Sequence, residues 1–190
     1  TQFARGESMR FKGYSLTHSL YLGICLFFTK IFYRRFRLVR LPFRFRKMGR
    51  LRGGLGLTTG VNCRIDIFKE GTLVLADNIQ LNDHVHIACA DMISIGKNVL
   101  MASRVYISDH DHDLYSGLEN PQDWPLKTSQ VKIGDNCWIG EGVCILKGVS
   151  IGSGCVIGAN AVVTKSFPDN CVIGGVPAKI LKMVNSNDSE

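Results

Sequence analysis

Acidic residues are almost missing from the first 52 positions. Glu7 stands alone there against 13 lysines and arginines, whereas the rest of the chain carries 10 basic and 15 acidic groups. A basic end on an otherwise mildly acidic chain points to an anionic surface as partner. It lacks a recognised nucleic-acid-binding motif, so no nucleic-acid partner is expected. The seven cysteines form no CxxC pair and no disulfide-like spacing. That argues against a disulfide scaffold and for a reducing, cytoplasmic setting. No signal peptide with a cleavage site is expected. Long apolar runs are also lacking. The longest uncharged stretch, residues 13–29, contains Ser15, Thr17, His18, Ser19 and Gly23, and is too short and too polar for a spanning helix.

A six-residue period is present instead. Residues 133–163 read IGDNCW-IGEGVC-ILKGVS-IGSGCV-IGANAV-V. The anchors are Ile133, Ile139, Ile145, Ile151, Ile157 and Val163, and glycine follows all of the first five except Ile145. Four residues after each anchor stands Cys137, Val143, Val149, Cys155 or Ala161. A fixed period dictates architecture. Six is neither helical nor a plain alternation. It suits a short strand, a turn needing glycine or asparagine, and another short strand. The phase continues upstream through Ile95, Val99, Met101, Val105 and Ile107. With a two-residue shift it reaches Leu75, Ile79, Leu81, Val85 and Ile87, then Leu57, Val61, Cys63, Ile67 and Leu73. It also fits Val39, Phe43, Phe45, Leu51 and Leu55, and misses at Gly49 and Lys69. Five to six coils over residues 39–168 are predicted. Residues 108–132 break the phase with Gly117, Pro121, Pro125 and many polar residues. A long structureless insertion of this kind is usually functional.

The run at 133–163, with the ending VVTKSFPDN…GGVPAK, resembles the hexapeptide-repeat acetyltransferases. They include galactoside, maltose and polysaccharide O-acetyltransferases. The resemblance implies an all-β fold, a left-handed parallel β-helix with an N-terminal helix and one long extruded loop. It implies acetyl-coenzyme A as co-substrate, no metal, a carbohydrate acceptor and a homotrimer with each active site between two subunits. The domain plan is a cloning remnant at 1–8, an amphipathic helix and basic segment at 9–38, the β-helix at 39–182 and a polar tail at 183–190.

Four of five histidines lie near the break: His84, His86, His110 and His112. Acetyl transfer to a hydroxyl needs a proton acceptor near neutral pH, which histidine supplies. An ungapped alignment with the galactoside and maltose enzymes through Ile95-Gly96 places the family's catalytic histidine on His112 and its active-site asparagine on Asn82. Proline commonly follows that histidine in relatives, whereas Asp113 follows here, which makes His110 a rival. Asp109 or Asp111 is expected to orient the imidazole. The oxyanion donor is expected from a backbone N–H of the Trp138–Gly142 turn. His84 and Trp138 are expected to line the acceptor site. His84 and His86, two apart, would share a strand face, and a zinc reading of the γ-class carbonic anhydrase kind would use them as ligands. For coenzyme A the resemblance implies Gly140, Glu141, Gly142, Ala159, Thr164 and Lys165, with Lys179 and Lys182 at the phosphates. Gly140 and Gly158 are expected to serve turn geometry.

Within residues 14–33, Leu16, Leu20, Ile24, Phe27, Phe28 and Ile31 fall at helical spacing, followed by Arg34, Arg35, Arg37 and Arg40. A helix covering the open end of the solenoid and a helix lying in a membrane interface both fit. The functional expectation is an O-acetyltransferase acting on a sugar hydroxyl of a surface polysaccharide or its lipid-linked precursor. It would work in the cytoplasm at the inner face of the membrane. The alternatives are an amino-sugar or nucleotide-sugar N-acetyltransferase, the zinc protein, and a non-catalytic scaffold.

Overall fold

A computed structural model describes residues 15–184. The expected remnant at 1–8 and most of the polar tail lie outside the described residues. The chain winds through three parallel sheets in turn, making a three-sided parallel β-helix. The first face stacks strands starting at Leu38, Thr58, Gln80, Leu100, Trp138, Val156 and Cys171, and is closed by the antiparallel strand Lys179–Met183. The second face stacks Arg44–Lys47, Arg64–Ile67, His86–Cys89, Tyr106–Ser108, Cys144–Ile145 and Val162–Val163. The third runs from Arg50–Gly53 to Ser150–Ile151, with Phe167 bridging to Ile151. The described residues thus begin a seventh turn, one more than the sixfold phase predicts.

The difference lies in coil length. Trp138 pairs with Val156, 18 residues on, but Leu38 pairs with Thr58, Thr58 with Gln80 and Gln80 with Leu100, so the early coils take 20, 22 and 20 residues. The extra residues extend the strands of the second and third faces to four residues. Alternation then puts two inward residues on each, as at Ile65 with Ile67 and Ile93 with Ile95. Ile65 and Ile93 are therefore core residues that a strict period of six passes over. Leu55 is 53% exposed and Val61 only half-buried, so neither holds the inward place the period assigns.

Inside, the anchors and the positions four residues later form one buried aliphatic column. The turns explain the pattern between them. Asn136, Gly142, Gly148, Gly154 and Asn160, each three residues after an anchor, all have positive φ. That conformation is cheap for glycine and tolerable for asparagine. The glycine directly after the anchor has a different cause. A Cβ on Gly140 would stand 2.7 Å from Ala159 N and Ile157 O of the next coil. Gly140→Ala is expected to destabilise the fold by about 1–3 kcal/mol in thermal unfolding. At Gly158 the nearest atom to such a Cβ is 3.4 Å away and φ is not positive, so Gly158→Ala is expected to be neutral or slightly stabilising. Coil-to-coil approach, and not turn conformation, requires the glycine at 140, and neither requires it at 158.

Helix α1, Leu16–Phe32, closes the first coil. Ser15 caps it, accepting from His18 N. Leu22, Cys25 and Thr29 are its buried side. Thr29 Oγ1 accepts from Val39 N at 2.8 Å and Tyr21 Oη donates to Leu41 O at 2.6 Å, satisfying part of the solenoid's open edge. Tyr33 stacks on Phe36 and meets Phe43 edge-on over the end of the core. This is the cap a solenoid needs, but it uses the side opposite the Leu16–Leu20–Ile24–Phe27–Ile31 spacing. Among the described residues no helix is long and apolar enough to cross a membrane.

Candidate active site

The insertion leaves the solenoid after Ser108 and returns at Val131, a buried residue already in strand Val131–Ile133. It is not structureless. His110–His112 pairs antiparallel with Leu126–Thr128, and a short 3-10 turn, Pro121–Asp123, sits between them. This hairpin carries Trp124 back onto His112, 12 residues away in sequence. His112 Nδ1 lies 3.1 Å from Trp124 O. A carbonyl only accepts, so Nδ1 carries the proton and Nε2 keeps a lone pair. Trp124 is itself held by its indole N–H, which donates to Leu118 O at 2.7 Å.

The two aspartates expected to orient His112 have other partners. Asp109 is fully buried. It accepts from Ala90 N and Asp91 N, both at 2.8 Å, and from His110 Nδ1 at 2.9 Å. Asp111 pairs with Lys147 Nζ at 2.6 Å. His110, largely buried, packs edge-on against Phe68. His110 therefore also has its Nδ1 committed, to a carboxylate. A cleft of about 340 Å³ gathers both histidines with Tyr106, Ser108, Leu146 and Lys147. The sequence reading missed Tyr106, Leu146, Lys147 and the Trp124 carbonyl. One signal was available: Ile145 alone among the five anchors from Ile133 to Ile157 is not followed by glycine, and the Leu-Lys that replaces the pattern faces the cleft.

His84 and His86 do not share a strand face. His84 sits at φ +60° in the turn before Val85, while His86 begins the strand on the next face. His86 Nε2 meets buried Asp66 at 3.1 Å, in a cluster with Arg46 and Arg64. Burial outweighs the Asp66 bond and lowers the His86 pKa below its ordinary value. Among the described residues no three His, Cys, Asp or Glu side chains of one chain gather as a metal-ligand set.

The remaining candidates lie on two edges of the prism, on its first face and on the closing strand. Asn82 and His84 lie in the turn from first to second face, in a row continued by Arg104, Gly142 and Asn160, with Glu141 paired to Arg104 and Ala159 beside Gly140. Asn82 lines a separate recess with His18, Tyr21, Arg40 and Ser103. The edge between second and third faces carries Ser108, then Leu146 and Lys147, then Thr164 and exposed Lys165, whose ammonium lies 5.9 Å from the Phe167 ring. Leu146 N donates to Val163 O, so Thr164 and Lys165 stand one coil, roughly 5 Å, below the cleft. Trp138 is 54% exposed on the first face, its register partners Leu100 and Val156. Lys179 and Lys182 are on the closing strand, opposite Gly174 and Val172. These lysines, Thr164 and Lys165 are all exposed. In the expected oxyanion turn, the N–H groups of Trp138, Gly140 and Gly142 donate to Cys155 O, Ile157 O and Ser103 O.

Comparison with known proteins bears on the fold and the family. The family described as bacterial transferase hexapeptide (six repeats) matches residues 130–165. WbbJ of Escherichia coli (strain K12), provisionally named a lipopolysaccharide biosynthesis O-acetyl transferase, is 42% identical over 181 residues, 92% of each chain. The galactoside O-acetyltransferase of the same organism is 33% identical over 69% of this chain and 66% of its own. Among solved structures, a hexapeptide-repeat acetyltransferase of Vibrio cholerae O1 biovar eltor complexed with acetyl-coenzyme A superposes with a TM-score of 0.56. It is 26% identical and covers 76% of this chain and 72% of its own. The chain belongs to the hexapeptide-repeat acetyltransferases and is an acetyl-coenzyme A-dependent acyltransferase.

Proposed function

We propose that the acceptor is a sugar hydroxyl, in a surface polysaccharide or its lipid-linked precursor, and that His112 is the general base. The observation that carries this is the Nδ1 contact of His112 with the Trp124 carbonyl, which leaves Nε2 basic in the cleft. Nε2 takes the hydroxyl proton as the acceptor oxygen attacks the thioester carbonyl of acetyl-coenzyme A. The tetrahedral oxyanion then collapses, breaking the C–S bond, and the imidazolium returns its proton to the departing thiolate. The oxyanion donor in this reading is a backbone N–H of the Trp138–Gly142 turn, with Glu141 N–H preferred because those of Trp138, Gly140 and Gly142 already donate to the neighbouring coils.

Transfer is direct in this reading. Six of the seven cysteines are buried, and burial pushes the Cys89 and Cys171 thiols up to about 12 and Cys137 to about 11. The remaining one, Cys144, is half-buried on the second face next to Tyr106. The division of candidates between two edges supports a site completed by a second copy, the Asn82 edge of one subunit facing the His112 edge of the next in a trimer. Thr164, Lys165, Lys179 and Lys182 hold the coenzyme in this reading, and Trp138 and His84 face the acceptor.

An acceptor screen that follows release of free coenzyme A tests the reading. Neutral sugars and polysaccharide fragments are expected to yield an alkali-labile acetyl ester. Cys144→Ala is expected to retain the rate. An alkali-stable amide formed only on amino sugars would replace the hydroxyl acceptor with an amine, and loss of activity in Cys144→Ala would replace direct transfer with an acyl-enzyme.

A further inference from the structure

Helix α1 is apolar on both sides. Its buried side holds Leu22, Cys25 and Thr29. At 100° per residue, Leu16, Leu20, Ile24, Phe27 and Ile31 fall within an arc of roughly 80° on the opposite side. These five are 49–88% exposed. An exposed apolar stripe of this length marks an interaction surface, and capping the solenoid accounts for the opposite side only. The helix runs directly into exposed Arg34 and Arg35. These two line a groove of about 640 Å³ with Lys47, Arg52, Phe36 and Phe45, and no carboxylate lies in its lining. Arg37, Arg44 and Arg50 are exposed on the same first coil.

We propose that this end of the molecule docks on an anionic phospholipid bilayer, with the outer stripe of α1 lying in the interface and the basic groove receiving lipid phosphates. Charge decides between the two occupants an apolar stripe of this size invites. A second copy seated on the same stripe would bring two such basic ends together, which like-charge repulsion opposes. An anionic bilayer meets the apolar stripe with acyl chain and the arginines with phosphate. The placement also serves the chemistry, a point that rests on the sugar-acetylating reading above. Ser108 of the cleft is in register with Ala88, one coil nearer that end, and Ala88 faces Asp66, which faces Arg46 of the first coil. Three coil steps, roughly 15 Å, thus separate the cleft from the docking end. That distance suits the first sugars of a lipid-linked acceptor.

Flotation of the full chain with vesicles tests this. Vesicles of phosphatidylethanolamine with phosphatidylglycerol are expected to carry the protein, and vesicles of phosphatidylcholine alone to leave it behind. The double variant Ile24→Glu/Phe27→Glu is expected to lose at least tenfold in partitioning. Arg34→Glu/Arg35→Glu is expected to lose roughly thirtyfold, with much of the wild-type binding abolished by high salt. Both variants are expected to keep the wild-type melting temperature and the wild-type rate on a soluble sugar acceptor, so docking and chemistry fail separately. Wild-type protein that ignores anionic vesicles overturns the proposal, as does an Ile24→Glu/Phe27→Glu variant that floats like wild type. A fall in mass of that variant by light scattering, with no vesicle binding by the wild type, assigns the stripe to a second copy instead.

Discussion

His112→Ala is expected to lower kcat/KM for acetyl transfer by about 10²–10⁴-fold while leaving the melting temperature nearly unchanged. Both halves follow from its position. The side chain is exposed on the hairpin and its intramolecular polar contact is with Trp124 O, so truncation costs about 1 kcal/mol or less. Transition-state proton transfer, in contrast, loses its acceptor altogether. His110→Ala is the paired control. His110 also presents a fixed tautomer, through Asp109, and shares the cleft. It is largely buried against Phe68, so its removal is expected to lower stability together with activity. Steady-state kinetics alongside thermal melts separates the two. A His112→Ala enzyme with near wild-type kcat/KM, beside a folded but inactive His110→Ala enzyme, would transfer the role of base to His110.

The largest loss of stability is expected from Asp109→Ala, about 3–5 kcal/mol. The carboxylate is fully buried and accepts from two backbone N–H groups, those of Ala90 and Asp91, as well as from His110 Nδ1. Alanine leaves the two backbone donors without a partner where water does not readily reach, and leaves His110 Nδ1 only the longer 3.4 Å contact with Ser108 Oγ. Each orphaned donor costs about 1–3 kcal/mol. In a chain of this length the sum corresponds to a fall in Tm of roughly 10 °C or more, readable by calorimetry. Asp109 is also the point where the insertion leaves the solenoid, and its carbonyl accepts from Ser129 N on the returning segment. Activity is therefore expected to fall with stability. Asp109→Asn should recover part of both, because one amide oxygen still accepts while the amide nitrogen faces donors. If Asp109→Ala melts like wild type, the buried hydrogen bonds do not hold the root of the loop.

Much of the fold is written in local terms. An inward aliphatic at every sixth place, glycine or asparagine three residues later and a small residue after that are requirements each coil meets by itself. Where the strands lengthen to four residues, as at Arg64–Ile67, the inward positions change spacing, and a fixed six no longer names them. The pairing of His84 with His86 failed for a related reason. The two residues straddle a turn whose positive φ at His84 sends the chain from one face to the next, so a strand's alternation does not apply. The orienting group of His112 was equally hidden, because main-chain carbonyls leave no mark in a residue pattern. What marked the cleft was an irregularity, the missing glycine after Ile145.

The sequence by itself determined that this chain is a hexapeptide solenoid, with an ending that resembles that of coenzyme A-dependent acetyltransferases. Period, turn chemistry and motif are properties of residues a few places apart, fixed by sterics and burial within one coil. Only the tertiary structure decided which nitrogen of which histidine is free, since that depends on Trp124 being folded back by a hairpin onto His112. It likewise decided that Asn82 and His112 occupy different edges of one chain, and that α1 spends one apolar side on the solenoid and leaves the other uncovered. These are contacts between distant segments, and their partners are chosen by how the coils stack.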